Sequence, residues 1–168
     1  MEKIILRSLV HDDLDFLFEL ENDKRYWHLS HTTEPFTKAD IKNYIDNAQQ
    51  PLSSALQKRY VVTDSANQRY GFIDFYDYNA EHRRAGVGIL IHPQWQAKGI
   101  GKQALILLIE EARTLAIHQL YAMIPPENKP SLALFEKCGF EKSGLKKEWY
   151  FYNKKFHDMW FYQKRLHV

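Results

Sequence analysis

Apolar residues along this chain alternate between two rhythms, and the switches mark the elements. Ile4, Ile5, Leu6 and Leu9 predict a first strand over Lys3 to Leu9. His11-Asp12-Asp13 then supplies an N-cap and first-turn acids for a helix through about Glu21, with Leu14, Leu17, Phe18 and Glu21 at helical spacing. Tyr26 to Pro35 keeps neither rhythm and reads as an irregular, aromatic segment. Thr37 caps a second helix, with Asp40 three residues on as an acidic variant of the capping box. That helix carries Ile41, Tyr44 and Ile45 and stops before Pro51.

The middle of the chain reads as strand. Arg59 to Thr63 and Tyr70 to Asp77 are β-branched and aromatic runs joined by the turn-forming Asp64-Ser65-Ala66-Asn67. Arg84 to Ile91 ends almost wholly apolar, as a strand buried on both faces does. Ile100 to Ile117 is the longest helical pattern, with an apolar stripe of Ala104, Leu107, Leu108, Ala112 and Leu115. A strand over Gln119 to Ile124 ends at Pro125-Pro126. A short helix from about Pro130 to Cys138 follows, stopped by Gly139. Phe140 to Phe151 and Phe156 to Lys164 flank the turn Tyr152-Asn153-Lys154-Lys155 and form an antiparallel hairpin.

This order predicts an α/β fold of the α+β kind: a mixed, mostly antiparallel central sheet with helices on both faces. The strand–helix–strand unit from Arg84 to Ile124 has to contribute a parallel pair through a right-handed crossover. At 168 residues, with no repeat and no Gly/Pro-rich linker, one domain spanning 1–168 is expected. Composition narrows the function. Lys+Arg 23 against Asp+Glu 21 gives +2 at pH 7, too balanced a field for non-specific nucleic-acid binding or attachment to anionic lipid. The apolar stretches are too short for a signal-peptide core or a membrane span, and the lone Cys138 makes no internal disulfide. A cytoplasmic protein without structural metal is the expectation, and a homodimer is compatible with it.

Chemistry first shows at Gln96-Ala97-Lys98-Gly99-Ile100-Gly101, where a long helix opens on two glycines. Backbone N–H groups at a helix start bind phosphate oxygens, and glycine lets a ligand approach them closely. A nucleoside-triphosphate loop is excluded, because Gly101-Lys102 is preceded by Gln96 where that motif needs Gly and followed by Gln103. The dinucleotide fingerprint of an oxidoreductase is met by Gly99-x-Gly101-x-x-Ala104. However, seven residues separate Ile91 from Gly99 where that motif turns tightly out of its strand.

Gln96-x-x-Gly99-x-Gly101 after an apolar strand resembles the acyl-coenzyme A loop of the GCN5-related N-acetyltransferase superfamily. The run Asn128-Lys129-Pro130-Ser131-Leu132-Ala133-Leu134-Phe135-Glu136-Lys137-Cys138-Gly139-Phe140 resembles that family's second hallmark, and the element order is similar over essentially the whole chain. The closest likeness is to the branch that acetylates ribosomal-protein N-termini and polyamines. The resemblance implies acetyl-coenzyme A as co-substrate and transfer of its acetyl group, in a ternary complex, to a primary amine of a small molecule or a protein N-terminus.

It further implies that the main chain of Gln96, Ala97, Lys98, Gly99, Ile100 and Gly101, helped by Lys102, holds the pyrophosphate. Ile89, Leu90 and Ile91 then hydrogen-bond the pantetheine arm, with the Leu90 amide as oxyanion donor. Asn128, Ser131 and Phe135 line the same wall, and Asn128 also fits as a helix cap. Trp27, His28, His31, Glu34, Asp74 and Tyr76 are candidates for the acceptor side. Two positions depart from the family pattern. Phe135 stands where members often carry the Tyr that protonates the leaving thiolate, and Gly86 stands where many carry an acid that aids amine deprotonation. Without that acid, the expectation leans to an acceptor of low pKa, such as an α-amine, over a polyamine. An acyl-coenzyme A sensor without turnover is the competing reading.

Overall fold

In the computed structural model, which describes residues 3–167, the strands are β1 (Ile5–Ser8), β2 (Lys58–Thr63), β3 (Arg69–Asn79), β4 (Arg84–Ile91), β5 (Gln119–Ile124), β6 (Glu141–Tyr152) and β7 (Lys155–Arg165). The α-helices are α1 (Leu14–Glu21), α2 (Trp27–Ser30), α3 (Lys38–Asn47), α4 (Leu52–Ala55), α5 (Ile100–Thr114) and α6 (Lys129–Lys137). The strands form one sheet in the order β1-β2-β3-β4-β5-β7-β6. Every neighbouring pair is antiparallel except β4 and β5, which α5 connects.

Period-two alternation divides the side chains between two cores. On one face Val61 and Phe72 pack with Leu17 and Leu20 of α1 and Ile41 and Ile45 of α3. On the other, Tyr60, Val62, Ile73, Phe75, Ala85 and Val87 pack with Ile100, Ala104, Leu105 and Leu108 of α5 and Phe135 of α6. The helices therefore do cover both faces. Thr37 caps α3 as its sequence predicts: its Oγ1 accepts the Asp40 N–H at 3.1 Å, and Asp40 accepts the Thr37 N–H at 2.7 Å. Gly139, at φ 82°, closes α6 with an N–H bond to the Glu136 carbonyl. Asn153 and Lys154, both at positive φ, make the two-residue turn between β6 and β7.

Several expectations shift. The segment after Tyr26 contains the single helical turn α2, and α4 is a second short helix the pattern did not signal. Helix α5 ends at Thr114 rather than Ile117, because Ala116 turns to φ 54°. Its buried stripe takes in Leu105 and Ile109, while Leu107 and Leu115 are only partly covered.

Asp13 is the largest departure at the residue level. It is no dipole-facing acid, because a 3-10 turn over His11–Asp13 precedes α1 and carries its side chain inward to 0 % exposure. There it accepts from Arg7 at 2.7 and 2.8 Å, from Arg69 at 2.7 Å and from the Val10 N–H at 2.9 Å. One carboxylate thus clamps β1, β3 and the start of α1.

Among the described residues no helix is long and apolar enough to cross a membrane. The Asp13 clamp gives a test. Burial alone pushes its carboxyl up, but the bonds from Arg7, Arg69 and Val10 outweigh that and hold it below the ordinary 3.8. A depressed folded-state pKa stabilises above the unfolded value and is lost as pH falls through the folded one. Asp13→Asn is expected to cost about 3 kcal/mol at pH 7, the low end for breaking a buried pair, because both arginines keep some water. The wild-type advantage in urea midpoint should shrink steadily below pH 3.8. A gap that stays constant to pH 2 would exclude the clamp.

Candidate active site

The site begins where the sheet divides. β4 and β5 pair at Arg84–Gln119, Ala85–Leu120 and Gly86–Tyr121, and beyond these no pairing between them continues among the described residues. β4 stays with β3 as far as Ile91, and β5 stays with β7 as far as Ile124. The result is a V-shaped opening whose walls are two strand backbones.

Register decides which backbone groups point into it. The His92 N–H donates to the Tyr70 carbonyl at 2.8 Å. Two-residue steps along the ladder then place Leu90 opposite Phe72 and Gly88 opposite Asp74 as hydrogen-bonded pairs. Ile89 and Ile91, opposite Ile73 and Gly71, fall between them, so their N–H and C=O groups face the opening. This corrects the expected oxyanion donor. The Leu90 amide is committed to β3, and the amide available in the cleft is that of Ile89.

Below the opening, the loop from Pro93 to Gly99 leads into α5. Ala97 at φ 59° and Gly99 at φ 80° turn the chain so that successive N–H groups face outward in a concave nest. The first bond within the helix is Gln103 N–H to the Gly99 carbonyl, which leaves the amides of Ile100, Gly101 and Lys102 as unpaired first-turn donors. A Cβ on Gly99 would meet nothing within 4 Å, so only its backbone angle, and no packing, calls for glycine here. Ile100 anchors the turn through its buried side chain. The Gln96 side chain donates to the Ile91 carbonyl at 2.8 Å and to Tyr26 Oη at 3.1 Å. It therefore holds the loop against the end of β4 and the segment before α2. Lys98 lies over the Trp95 ring at 4.7 Å, and Lys102 is exposed.

A cleft of about 540 Å³ runs from this opening across the α1 face of the sheet. Among its lining residues are Ile89 and Leu90 from β4, Asn128, Ser131 and Phe135 from α6, and Trp27, His31, Asp74 and Tyr76. Asn128 caps α6, its Oδ1 accepting the Ser131 N–H at 3.3 Å. Phe135 is 2 % exposed, its ring edge-on to Phe140 with centroids 4.9 Å apart.

Two sequence candidates lie elsewhere. His28 stacks on Tyr152 at 4.4 Å under the β6–β7 hairpin, and burial pushes its imidazole below the ordinary value. Glu34 is exposed and lines no part of the cleft. The segment just after it is pinned to the end of α1 by paired bonds between the Asn22 amide and the Phe36 backbone, at 2.8 and 3.0 Å.

Sequence reading missed the cleft's charged floor. Arg59 lies opposite Asp74 in the β2–β3 ladder, and its Nε and Nη2 bind Asp74 Oδ2 at 2.9 and 2.8 Å. Its Nη1 also donates to Glu21. The guanidinium sits near the Tyr44 and Phe72 rings, 5.5 and 5.9 Å from their centroids. One cation thus serves two carboxylates, and Asp77 adds a third acid at the cleft rim. Burial raises the Asp74 carboxyl above its ordinary value, with the Glu21 charge adding to it and Arg59 and the Gly88 N–H opposing it. Register was the missing signal: Arg59, Asp74 and Gly88 form one row across three strands. Among the described residues no group of three or more His, Cys, Asp or Glu is placed to hold a metal ion.

A divided sheet with free amides in the opening, above a glycine-opened helix, is the arrangement that the resemblance implies for an acyl-coenzyme A-dependent transferase. Comparison with known proteins gives the family. Residues 3–141 match the acetyltransferase (GNAT) domain, and the chain belongs to that family. It is 28 % identical to the spermidine N(1)-acetyltransferase of Vibrio cholerae serotype O1, over 99 % of this chain and 92 % of that protein. The spermidine N(1)-acetyltransferase of Escherichia coli K12 is also 28 % identical, over 83 % of this chain and 73 % of that one. The crystal structure of the Vibrio cholerae spermidine N-acetyltransferase with CoA and spermine superposes with a TM-score of 0.87 at 25 % identity, covering 98 % of this chain and 96 % of that one.

The loop geometry sets a test. Asn tolerates positive φ, so Gly99→Asn should fold and bind acetyl-coenzyme A within a fewfold of wild type. Gly99→Asp has similar shape but sets a carboxylate beside the amides and should weaken binding at least tenfold, about 1.4 kcal/mol. Calorimetric titration of both variants compares them. Equal affinity would show that the pyrophosphate lies elsewhere.

Proposed function

We propose that this acetyltransferase acetylates a primary amine of an aliphatic polyamine, with acetyl-coenzyme A bound in the opening between β4 and β5. The observation that carries the acceptor class is the charge of the cleft. Glu21, Asp74 and Asp77 line it against the single Arg59, and Tyr26, Trp27, Tyr76 and Trp149 present aromatic surface. Net negative charge beside aromatic faces suits ammonium groups spaced along an apolar chain. The spermidine acetyltransferases among its relatives support the same class.

The geometry and the family resemblance support these residue roles. Pyrophosphate oxygens take the amides of the nest and first helical turn, with Lys98 and Lys102 supplying charge. The pantetheine arm pairs with the main chain of Ile89 and Ile91 as an added strand would, beside Asn128 and Ser131. The amine attacks the thioester carbonyl, and the Ile89 N–H holds the oxyanion that forms. Phe135 has no proton for the departing thiolate. With a thiol pKa near 8.5, expelling it unprotonated at pH 7 costs about 1.5 units, roughly 2 kcal/mol, which slows the step without preventing it. The leaning toward a low-pKa amine rested on the missing acid at Gly86. The carboxylates of Asp74 and Glu21 around Arg59 weigh against it.

Thiol release should be followed with spermidine, spermine, amino acids and an N-terminal peptide. We expect kcat/KM for the polyamines to exceed that for α-amines at least tenfold at pH 7. The reverse order would overturn the proposal. Asp77→Asn should raise KM for spermidine up to about fivefold with little change in kcat, as expected for one solvent-exposed charge pair worth about 1 kcal/mol.

A further inference from the structure

Gly86 carries no acid, yet the space above it and above Gly88 is filled. Tyr76 lies directly opposite Gly86 in the ladder, and Asp74 directly opposite Gly88. A Cβ on Gly86 would come within 2.4 Å of the Tyr76 ring, and one on Gly88 within 2.3 Å of Asp74 Oδ1. Neither glycine has a positive φ, so their role here is to leave volume. The two β4 positions carry no side chain, and two side chains of β3 lie across the gap.

We propose that Asp74 is the base of the acetyl transfer, accepting the proton that the substrate ammonium must lose before it attacks. This rests on the reading of the protein as a polyamine acetyltransferase. Both Arg59 contacts at Asp74 fall on Oδ2, so Oδ1 is free of the guanidinium. That Oδ1 overlies Gly88, the neighbour of Ile89, whose amide opens into the cleft. Base and oxyanion donor are therefore borne by adjacent rows of the sheet.

The charged and titratable groups facing Asp74 are Arg59 from β2, Glu21 from α1, Tyr44 from α3 and Tyr76 from its own strand. From β4 the residue opposite is Gly88, which has no side chain but whose backbone N–H bonds the carboxylate and favours its charged form. With a single cation shared between two acids, the carboxylate keeps enough basicity to take a proton.

The step balances. The ammonium N–H proton passes to Asp74 Oδ1, directly or through one water, leaving a neutral amine and a carboxylic acid. The nitrogen lone pair forms the C–N bond, the C–S electrons leave with the thiolate, and the second nitrogen proton neutralises that thiolate. Asp74 returns its proton to water.

The test is the pH dependence of kcat/KM for spermidine. In wild type the profile should level off once Asp74 is ionised and stay level up to the amine pKa, because the charged base then takes the proton of the bound ammonium. In Asp74→Asn only free amine reacts, so kcat/KM should fall about 10²-fold or more at pH 7 and climb tenfold per pH unit toward the amine pKa near 10.4. A merely structural role would lower the profile and keep its shape. Acetyl-coenzyme A affinity of the variant, measured by calorimetry, reports whether it is folded. If it is not, Asp74→Ala supplies the second arm, and added formate should accelerate that variant but not wild type. A flat Asp74→Asn profile overturns the inference, as does a Glu21→Gln profile that acquires the slope in its place. Wild type that acetylates α-amines but no polyamine defeats the substrate reading. In that case the same profiles, taken with the responding amine, still decide for or against Asp74.

Discussion

Everything functional in this protein depends on two strands that stop pairing. β4 and β5 start side by side at Arg84 and Gln119 and hold for three residue pairs, then each follows its other neighbour. At the level where they part, β3 carries a bulge between Tyr76 and Asn79, with Asp77 at φ 47°. A bulge bends its strand and adds twist, and this one falls at the row where the β1–β4 and β5–β7 halves of the sheet part. Unpaired backbone amides inside a protein carry a cost comparable to a lost hydrogen bond. The opening exposes such amides on β4, and a ligand with amides of its own can satisfy them as a strand would.

The floor of the cleft makes the complementary point about charge. Burying a guanidinium is costly unless its donors are satisfied. Arg59 meets that condition with Glu21, Asp74 and two aromatic rings. The arrangement is over-supplied with carboxylate, and the surplus faces the cavity. Replacing the cluster with apolar residues would suit stability as well or better, so its presence in the cleft points to a demand from the substrate. The contrast is Asp13, where one fully buried carboxylate is used by two arginines.

Period and punctuation made most elements legible in advance. β4 and β5 fall where their runs of apolar residues predict, and the α3 cap, the Gly139 stop and the hairpin turn follow from local residue chemistry. What the chain did not disclose is which residues of adjacent strands stand side by side. Leu90 and Ile89 are equally apolar, and only the His92–Tyr70 bond shows which amide is free. Glu34 and Asp74 look alike as lone acids between aromatic segments. One is exposed, two residues before the Phe36 backbone that Asn22 pins to the end of α1, and the other is set into the floor by Arg59. His28 could not be distinguished from His31 until the hairpin was seen to cover the first and leave the second in the cleft.

The two departures from the family pattern are unequal, and the difference is thermodynamic. An alkyl ammonium near pKa 10.4 lies about 3.4 units above neutral pH, so freeing its lone pair costs roughly 4.6 kcal/mol, whereas a thiol near 8.5 costs about 2 kcal/mol to expel as thiolate. Loss of the base is therefore the heavier penalty and loss of the acid the lighter one. The structure divides along the same line. At Phe135 the acid is gone, and the ring is spent on packing against Phe140. At Gly86 and Gly88 the carboxylate is missing from one strand and present on the next, in a space that glycine alone leaves open. A motif read along one strand registers a loss there. Read across the sheet, the space over Gly86 belongs to the Tyr76 ring, and a carboxylate, that of Asp74, stands one side-chain position further along, over Gly88.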